Sequence, residues 1–169
     1  MILRLFSVLL LALTSMTSGW AHDPNLASFR VYPEHGRWLM RIDLATPALT
    51  YMPGFSPRLT AATDAFKAEI VRYLKENIRL VLDETAEVEL SSGGIKFGDH
   101  ATEAIFLLDG LSADWTTLEA EISCFEANEK HRNLLRVEGT TQTFKVFLDH
   151  SNDFVTTFEQ VSVEIRPNR

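Results

Sequence analysis

Arg37-Trp38-Leu39-Met40-Arg41-Ile42-Asp43-Leu44 is the stretch that decides the fold class of this chain. Trp38, Met40, Ile42 and Leu44 share one parity, and Arg37, Arg41 and Asp43 share the other. A period of two marks a strand with one face buried and one face wet. Just before it, Leu26 to Tyr32 reads as a partner strand, with Pro33-Glu34-His35-Gly36 as the hairpin turn between them. Downstream the period changes once. Leu59, Ala62, Phe66, Ile70, Tyr73 and Leu74 recur at three- and four-residue steps, which predicts one amphipathic helix over about 59–77. Ser56-Pro57 or Thr60 suits its start and Asn77 its end. Short strands are expected near 78–82, 87–90, 95–97, 102–108, 116–124, 133–138, 141–148 and 155–165. Their separators are Ser91-Ser92-Gly93-Gly94, Gly98-Asp99, Asp109-Gly110, Glu138-Gly139 and Ser151-Asn152-Asp153. Strands of this number and spacing predict a mainly β, antiparallel two-sheet sandwich, immunoglobulin-like, with the helix inserted.

The chain has 169 residues, 46% hydrophobic and 23% charged, enough to bury one core. Its net charge of −7 argues against a nucleic-acid binder, because tracking phosphates needs a basic face. A single cysteine excludes an internal disulfide framework and a multi-cysteine zinc site. Leu118, Ala120, Ile122 and Cys124 alternate with Glu119, Glu121 and Ser123, so Cys124 is expected in the core. Arg4, the apolar run Leu5 to Leu13, and Gly19 and Ala21 around Trp20 read as a signal peptide over 1–21, cleaved after Ala21. The run is too short for a bilayer span of about 20 residues. The expectation is a periplasmic or secreted protein with one domain over 22–165 and a frayed tail over 166–169.

Two short motifs carry a family resemblance. Ala21-His22-Asp23-Pro24 resembles the mature amino end of the extracytoplasmic domain of HupE/UreJ-type membrane proteins. Cys124-Phe125-Glu126-Ala127-Asn128-Glu129-Lys130-His131-Arg132-Asn133-Leu134-Leu135-Arg136 resembles their strand-loop-strand stretch ending in an HRxLL motif. The resemblance implies a secreted sandwich domain linked with nickel or cobalt handling. Two features depart from it. Tyr51-Met52-Pro53-Gly54-Phe55-Ser56-Pro57 stands where that family has an acidic, glycine-containing loop, and the family's membrane half has no counterpart here, so metal transport does not carry over.

The chemistry centres on His22. Cleavage after Ala21 would give one residue two chelating nitrogens, an α-amine with an ordinary pKa of about 7.7–8.0 and an imidazole near 6.5. Cu(II), or less readily nickel, suits such nitrogens and displaces their protons near neutral pH. This arrangement resembles the copper sites of CopC-like periplasmic carriers, and it needs a further ligand. His100, His131 and His150 are the candidates. A helix of about 18 residues is roughly 27 Å long, enough to run the length of a sandwich. The strand at 78–82 would then start at the pole opposite His22. The three histidines, after the third, fifth and seventh strands from there, would return to the pole of His22. His35 falls at the opposite pole. Each histidine also has an ordinary reading: His100 and His150 lie among turn-forming Asp, Gly and Asn, and His131 between Lys130 and Arg132 reads as a solvated loop residue.

Hydrolytic chemistry finds little support. Asp149-His150-Ser151 holds the residue types of a triad, but adjacent turn residues point apart. Glu119 and Glu121 read as a solvated strand face, not an acid pair. In the loop Tyr51 to Pro57, the rings and thioether of Tyr51, Met52 and Phe55 either tuck under the helix or form a contact surface for an inner-membrane partner. The resulting expectation is a non-catalytic periplasmic module, a Cu(II) or nickel carrier or sensor. The alternative is a metal-free interaction domain docking through Tyr51–Pro57.

Overall fold

A computed structural model describes residues 23–55, 64–139 and 142–160. The expected signal peptide, its expected cleavage site, His22, the expected helix start and the expected tail lie outside the described residues. Strands β1 (Leu26–Glu34) and β2 (Arg37–Ala45) form the expected hairpin. His35 and Gly36 both take left-handed backbone, φ +50° and +75°, as a two-residue hairpin turn requires. A 3-10 turn, Thr46–Tyr51, leads to helix α1 (Asp64–Glu76). There follow β3 (Ile78–Leu82), β4 (Ala86–Glu87), β5 (Glu89–Phe97), β6 (Ala101–Asp109), β7 (Thr117–Ile122), β8 (Arg132–Glu138), β9 (Thr143–Leu148) and β10 (Val155–Glu159).

The strands form two sheets, one of six in the order β5-β6-β2-β1-β8-β9 and one of four in the order β10-β7-β3-β4. Phe29, Met40, Ile42 and Leu44 from the first and Leu80, Leu118 and Ile122 from the second are all buried between them. Each such side chain contributes about 1.5–3 kcal/mol by leaving water. The protein is therefore a mainly β, two-sheet sandwich with one long helix, as the alternation and turn spacing predict.

Three particulars differ from expectation. First, among the described residues every strand pair is antiparallel except β1 with β8, which run parallel with Leu26 opposite Arg132 and Val31 opposite Val137. Hairpin chemistry specifies pairing between neighbours in sequence and says nothing about strands a hundred residues apart. Second, the segments expected at 87–90 and 95–97 are not separate strands divided by a turn at Ser91-Ser92-Gly93-Gly94. β5 is continuous, and its register against β6 shifts between Ser92 and Ile95. The glycines make a bulge, and a Cβ on Gly93 would lie 1.5 Å from the Ile105 carbonyl oxygen. Third, α1 crosses one pole of the sandwich instead of running its length. Phe66, near its start, meets Phe97 at the end of β5 with ring centroids 5.3 Å apart. Tyr73, near its end, meets Phe125 in the loop after β7 at 5.4 Å. Both contacts lie at the same pole, and the buried face Phe66, Ile70, Tyr73 and Leu74 seals the gap between the sheets there.

Candidate functional site

Strand pairing defines the pole that α1 covers. β1 starts there beside the start of β8, β9 ends there with Leu148 opposite Asn133, and β2 ends there with Ala45 opposite Ala101. His100, His131 and His150 therefore lie at one pole with Asp23, the first described residue, and His35 lies at the other. The expected route to that arrangement is corrected twice. A helix across the pole returns the chain to the near end, and the fusion of two expected strands into β5 removes one reversal. The two changes cancel.

Within the pole the histidines differ. His100 is exposed in the β5–β6 turn, where its backbone carbonyl accepts from Thr46 N–H at 3.1 Å. Three strand spacings separate β6 from β8, about 14 Å at ~4.8 Å each, which sets His100 apart from His131. His150 is exposed in the 3-10 turn His150–Asn152. Its Nε2 lies 3.0 Å from the Glu126 carbonyl, and its ring packs edge-on against Phe154. The neighbouring Asp149 accepts from Ser151 N–H at 2.8 Å and from its hydroxyl at 2.6 Å, so Asp149 caps the turn and Ser151 supports it.

His131 is not the solvated loop residue its charged neighbours suggest. It is 0% exposed, with its ring 5.0 Å from that of Phe125. Its Nε2 lies 3.0 Å from Asn133 Oδ1. The Asn133 amide nitrogen donates to the carbonyls of Ile122 at 2.8 Å and Cys124 at 3.0 Å. Oδ1 is therefore the acceptor in the pair, and the proton of a neutral His131 ring sits on Nε2. Nδ1 is buried with no hydrogen bond of good geometry, and the Pro24 backbone carbonyl lies close enough to the ring to favour its protonated form. Burial lowers the imidazole pKa from its ordinary value, outweighing the Asn133 bond, the Pro24 carbonyl and the Asp23 charge, which favour the cation. The ring is neutral at pH 7.

The chain entering β1 is fastened beside this ring. Arg132 N–H donates to the Asn25 carbonyl at 2.8 Å, and Asn128 Nδ2 donates to Asn25 Oδ1 at 2.9 Å. Asp23 turns the segment, its Oδ1 accepting from Asn25 N–H at 2.9 Å and its carbonyl from Leu26 N–H at 3.0 Å. Behind the ring, Phe125 holds left-handed backbone at φ +63°, and its N–H donates to the Tyr73 hydroxyl. Burial pushes the Tyr73 phenol pKa up, so it stays protonated. Cys124 is buried as expected, its thiol pKa pushed up by desolvation. Among the described residues, no group of three or more His, Cys, Asp or Glu side chains is placed to hold a metal ion.

The loop residues expected either to tuck under the helix or to form a contact surface separate. Met52 is 4% exposed and belongs to the core, and Phe55 packs against Phe66 at 6.1 Å. Buried Met52 and half-buried Phe55 follow the tucked reading, while Tyr51, at 40%, faces solvent.

Asn133 escaped the sequence reading, though its signal was present. It shares the inward parity of Leu135 and Val137, and a polar residue on a core face implies buried partners. His131 sits two residues earlier on the same parity. No protein-family model matches the chain, and no curated protein matches it.

Proposed function

We propose that the mature chain is a non-catalytic periplasmic module that carries or senses Cu(II), with nickel as second choice, through the α-amine and imidazole of an amino-terminal His22. The observation that carries this reading is His131. A buried imidazole lies against Asp23 and Pro24, the chain segment that directly follows residue 22. Amine and imidazole nitrogens favour a tetragonal copper site, and copper heads the affinity order of the divalent metals. The resemblance of Ala21-His22-Asp23-Pro24 and of the His131 segment to HupE/UreJ-type extracytoplasmic domains supports a metal-linked role.

Copper EPR on exported protein beginning at His22, beside a form with one extra alanine before it, tests the reading. The expected result is a nitrogen-rich tetragonal signal that the extension alters. A signal indifferent to the extension overturns the amino-terminal chelate. Complete absence of a signal favours the alternative, metal-free docking on an inner-membrane partner, which now rests on Tyr51 as its exposed ring. Among the described residues no helix is long and apolar enough to cross a membrane.

A further inference from the structure

We propose that the outer face of the six-stranded sheet docks on an anionic lipid bilayer, its cations meeting the headgroups and Phe147 entering the boundary between headgroups and acyl chains. The docking depends neither on copper nor on residue 22.

Strand parity sets the face. Phe29, Val31, Met40, Ile42, Leu135 and Val137 are buried in the core, so the residues alternating with them point away from it. Pairing then sets Lys145 beside Arg136, Arg136 beside Arg30 and Arg30 beside Arg41, a row of cations across β9, β8, β1 and β2. At ~4.8 Å per strand the row is about 14 Å long. Arg37 and Arg132 bring the outward cations of these strands to six, against three acids, Glu34, Asp43 and Glu138. Like charges opposite one another on a sheet are destabilising. Glu138 relieves part of this, taking Arg30 at 2.8 Å and Arg136 at 3.2 Å, and Arg41 pairs with Asp43 and Glu103. Lys145 is exposed and makes no salt bridge among the described residues. Arg132 lies over the Phe147 ring, 4.9 Å from its centroid, and its charge reaches Asp149 at the rim.

This face runs against the balance of the chain, whose net charge is −7. The outer face of the four-stranded sheet holds Arg79 against Glu87, Glu119, Glu121 and Glu159. An acidic molecule with one basic face meets a negative surface in one orientation. Apolar groups select a bilayer over a soluble polyanion. Phe147 is 41% exposed, and half-buried Leu134 lies opposite it on β8. Apolar surface beside cations matches the interfacial zone of a bilayer, where acyl contact and attraction to anionic lipids add. A second copy fits less well. Its acidic face lies on the other side of the sandwich, so the contact would be head-to-tail and would stack without closing.

Co-sedimentation of the exported protein with vesicles tests the assignment. Binding is expected to vesicles of equal parts phosphatidylglycerol and phosphatidylcholine, not to phosphatidylcholine alone. Salt near 1 M, where screening acts beyond about 3 Å, should release it. Each cation at an anionic surface strengthens binding about fivefold, so Arg132→Gln/Arg136→Gln/Lys145→Gln should weaken it at least about tenfold. Phe147→Ser should weaken it too, and Glu119→Gln/Glu121→Gln should not. Circular dichroism checks that each variant folds. Should the triple variant fail to fold, Lys145→Gln carries the test with about a fivefold loss. Absence of binding to the anionic vesicles overturns the proposal, as does binding that the cation variants leave unchanged. Equal affinity for soluble polyphosphate, or a loss confined to the cation variants with Phe147→Ser neutral, identifies a soluble polyanion and overturns the bilayer. Vesicle-free self-association that both the cation and the glutamate variants abolish assigns the face to a second copy and overturns it equally.

Discussion

Asn133 holds together three polar groups that would otherwise be buried alone, the carbonyls of Ile122 and Cys124 and the Nε2–H of His131. A leftover buried donor or acceptor costs about 1–3 kcal/mol, so Asn133→Ala is expected to lose roughly 3 kcal/mol. A lower urea midpoint with an unchanged slope would show it, and a loss below about 1 kcal/mol would argue that water replaces the amide. Tyr73 makes a comparable bond with less at stake. Its hydroxyl accepts from the N–H of Phe125, whose left-handed backbone is strained for a bulky residue. Tyr73→Phe should cost about 1–2 kcal/mol, readable in the same denaturation experiment. The inward position of both His131 and Asn133 was legible from their parity with Leu135 and Val137. Their partners were not, because those come from β7 and the loop that follows it, across the sandwich.

At the scale of elements, the parallel seam between β1 and β8 carries one salt-bridge cluster. Arg30 Nε lies 2.8 Å from Glu138 Oε1, and Arg136 Nε lies 3.2 Å from the same oxygen. The Arg30 hydrogen bond holds the Glu138 carboxyl below its ordinary pKa of 4.5. A carboxylate depressed in the folded state adds stability above the unfolded pKa and loses it as pH falls through the folded one. Glu138→Gln is therefore expected to lower stability at pH 7 and to change it little well below pH 4. Arg30 is half-exposed, so the difference should stay within about 1 kcal/mol. Thermal melts of both forms across that pH range would check it, and parallel curves would remove the seam's role. The bulge in β5 predicts a larger effect. Gly93→Ala would drive a Cβ into the Ile105 carbonyl, which is strand backbone and cannot yield like a side chain. A loss of roughly 3 kcal/mol or more is expected, placing this change in the severe tail of point substitutions. The glycines were visible in the sequence, but turn and bulge draw on the same residues, and only pairing with β6 distinguishes them.

For the whole molecule, the helix decides how the pole is closed. Phe66 is fully buried and bridges Phe55 and Phe97, so Phe66→Ala should cost about 3–5 kcal/mol and loosen the covered pole. Hydrogen exchange should rise first in α1 and the Cys124–His131 loop; uniform exchange would mean the helix unfolds only with the sheets. Local chemistry wrote much of this protein into its sequence. Side-chain alternation is a property of neighbours, so it determined the strands, their inward faces, the hairpin at His35-Gly36 and the burial of Cys124. Helical spacing determined the apolar face of α1. Pairing between distant segments has no local signature, and so tertiary structure alone decided the parallel seam, the bulge and the crossing of α1 over the pole. It also decided the state of His131, because a ring's burial and tautomer depend on which carbonyls and amides the folded chain brings beside it.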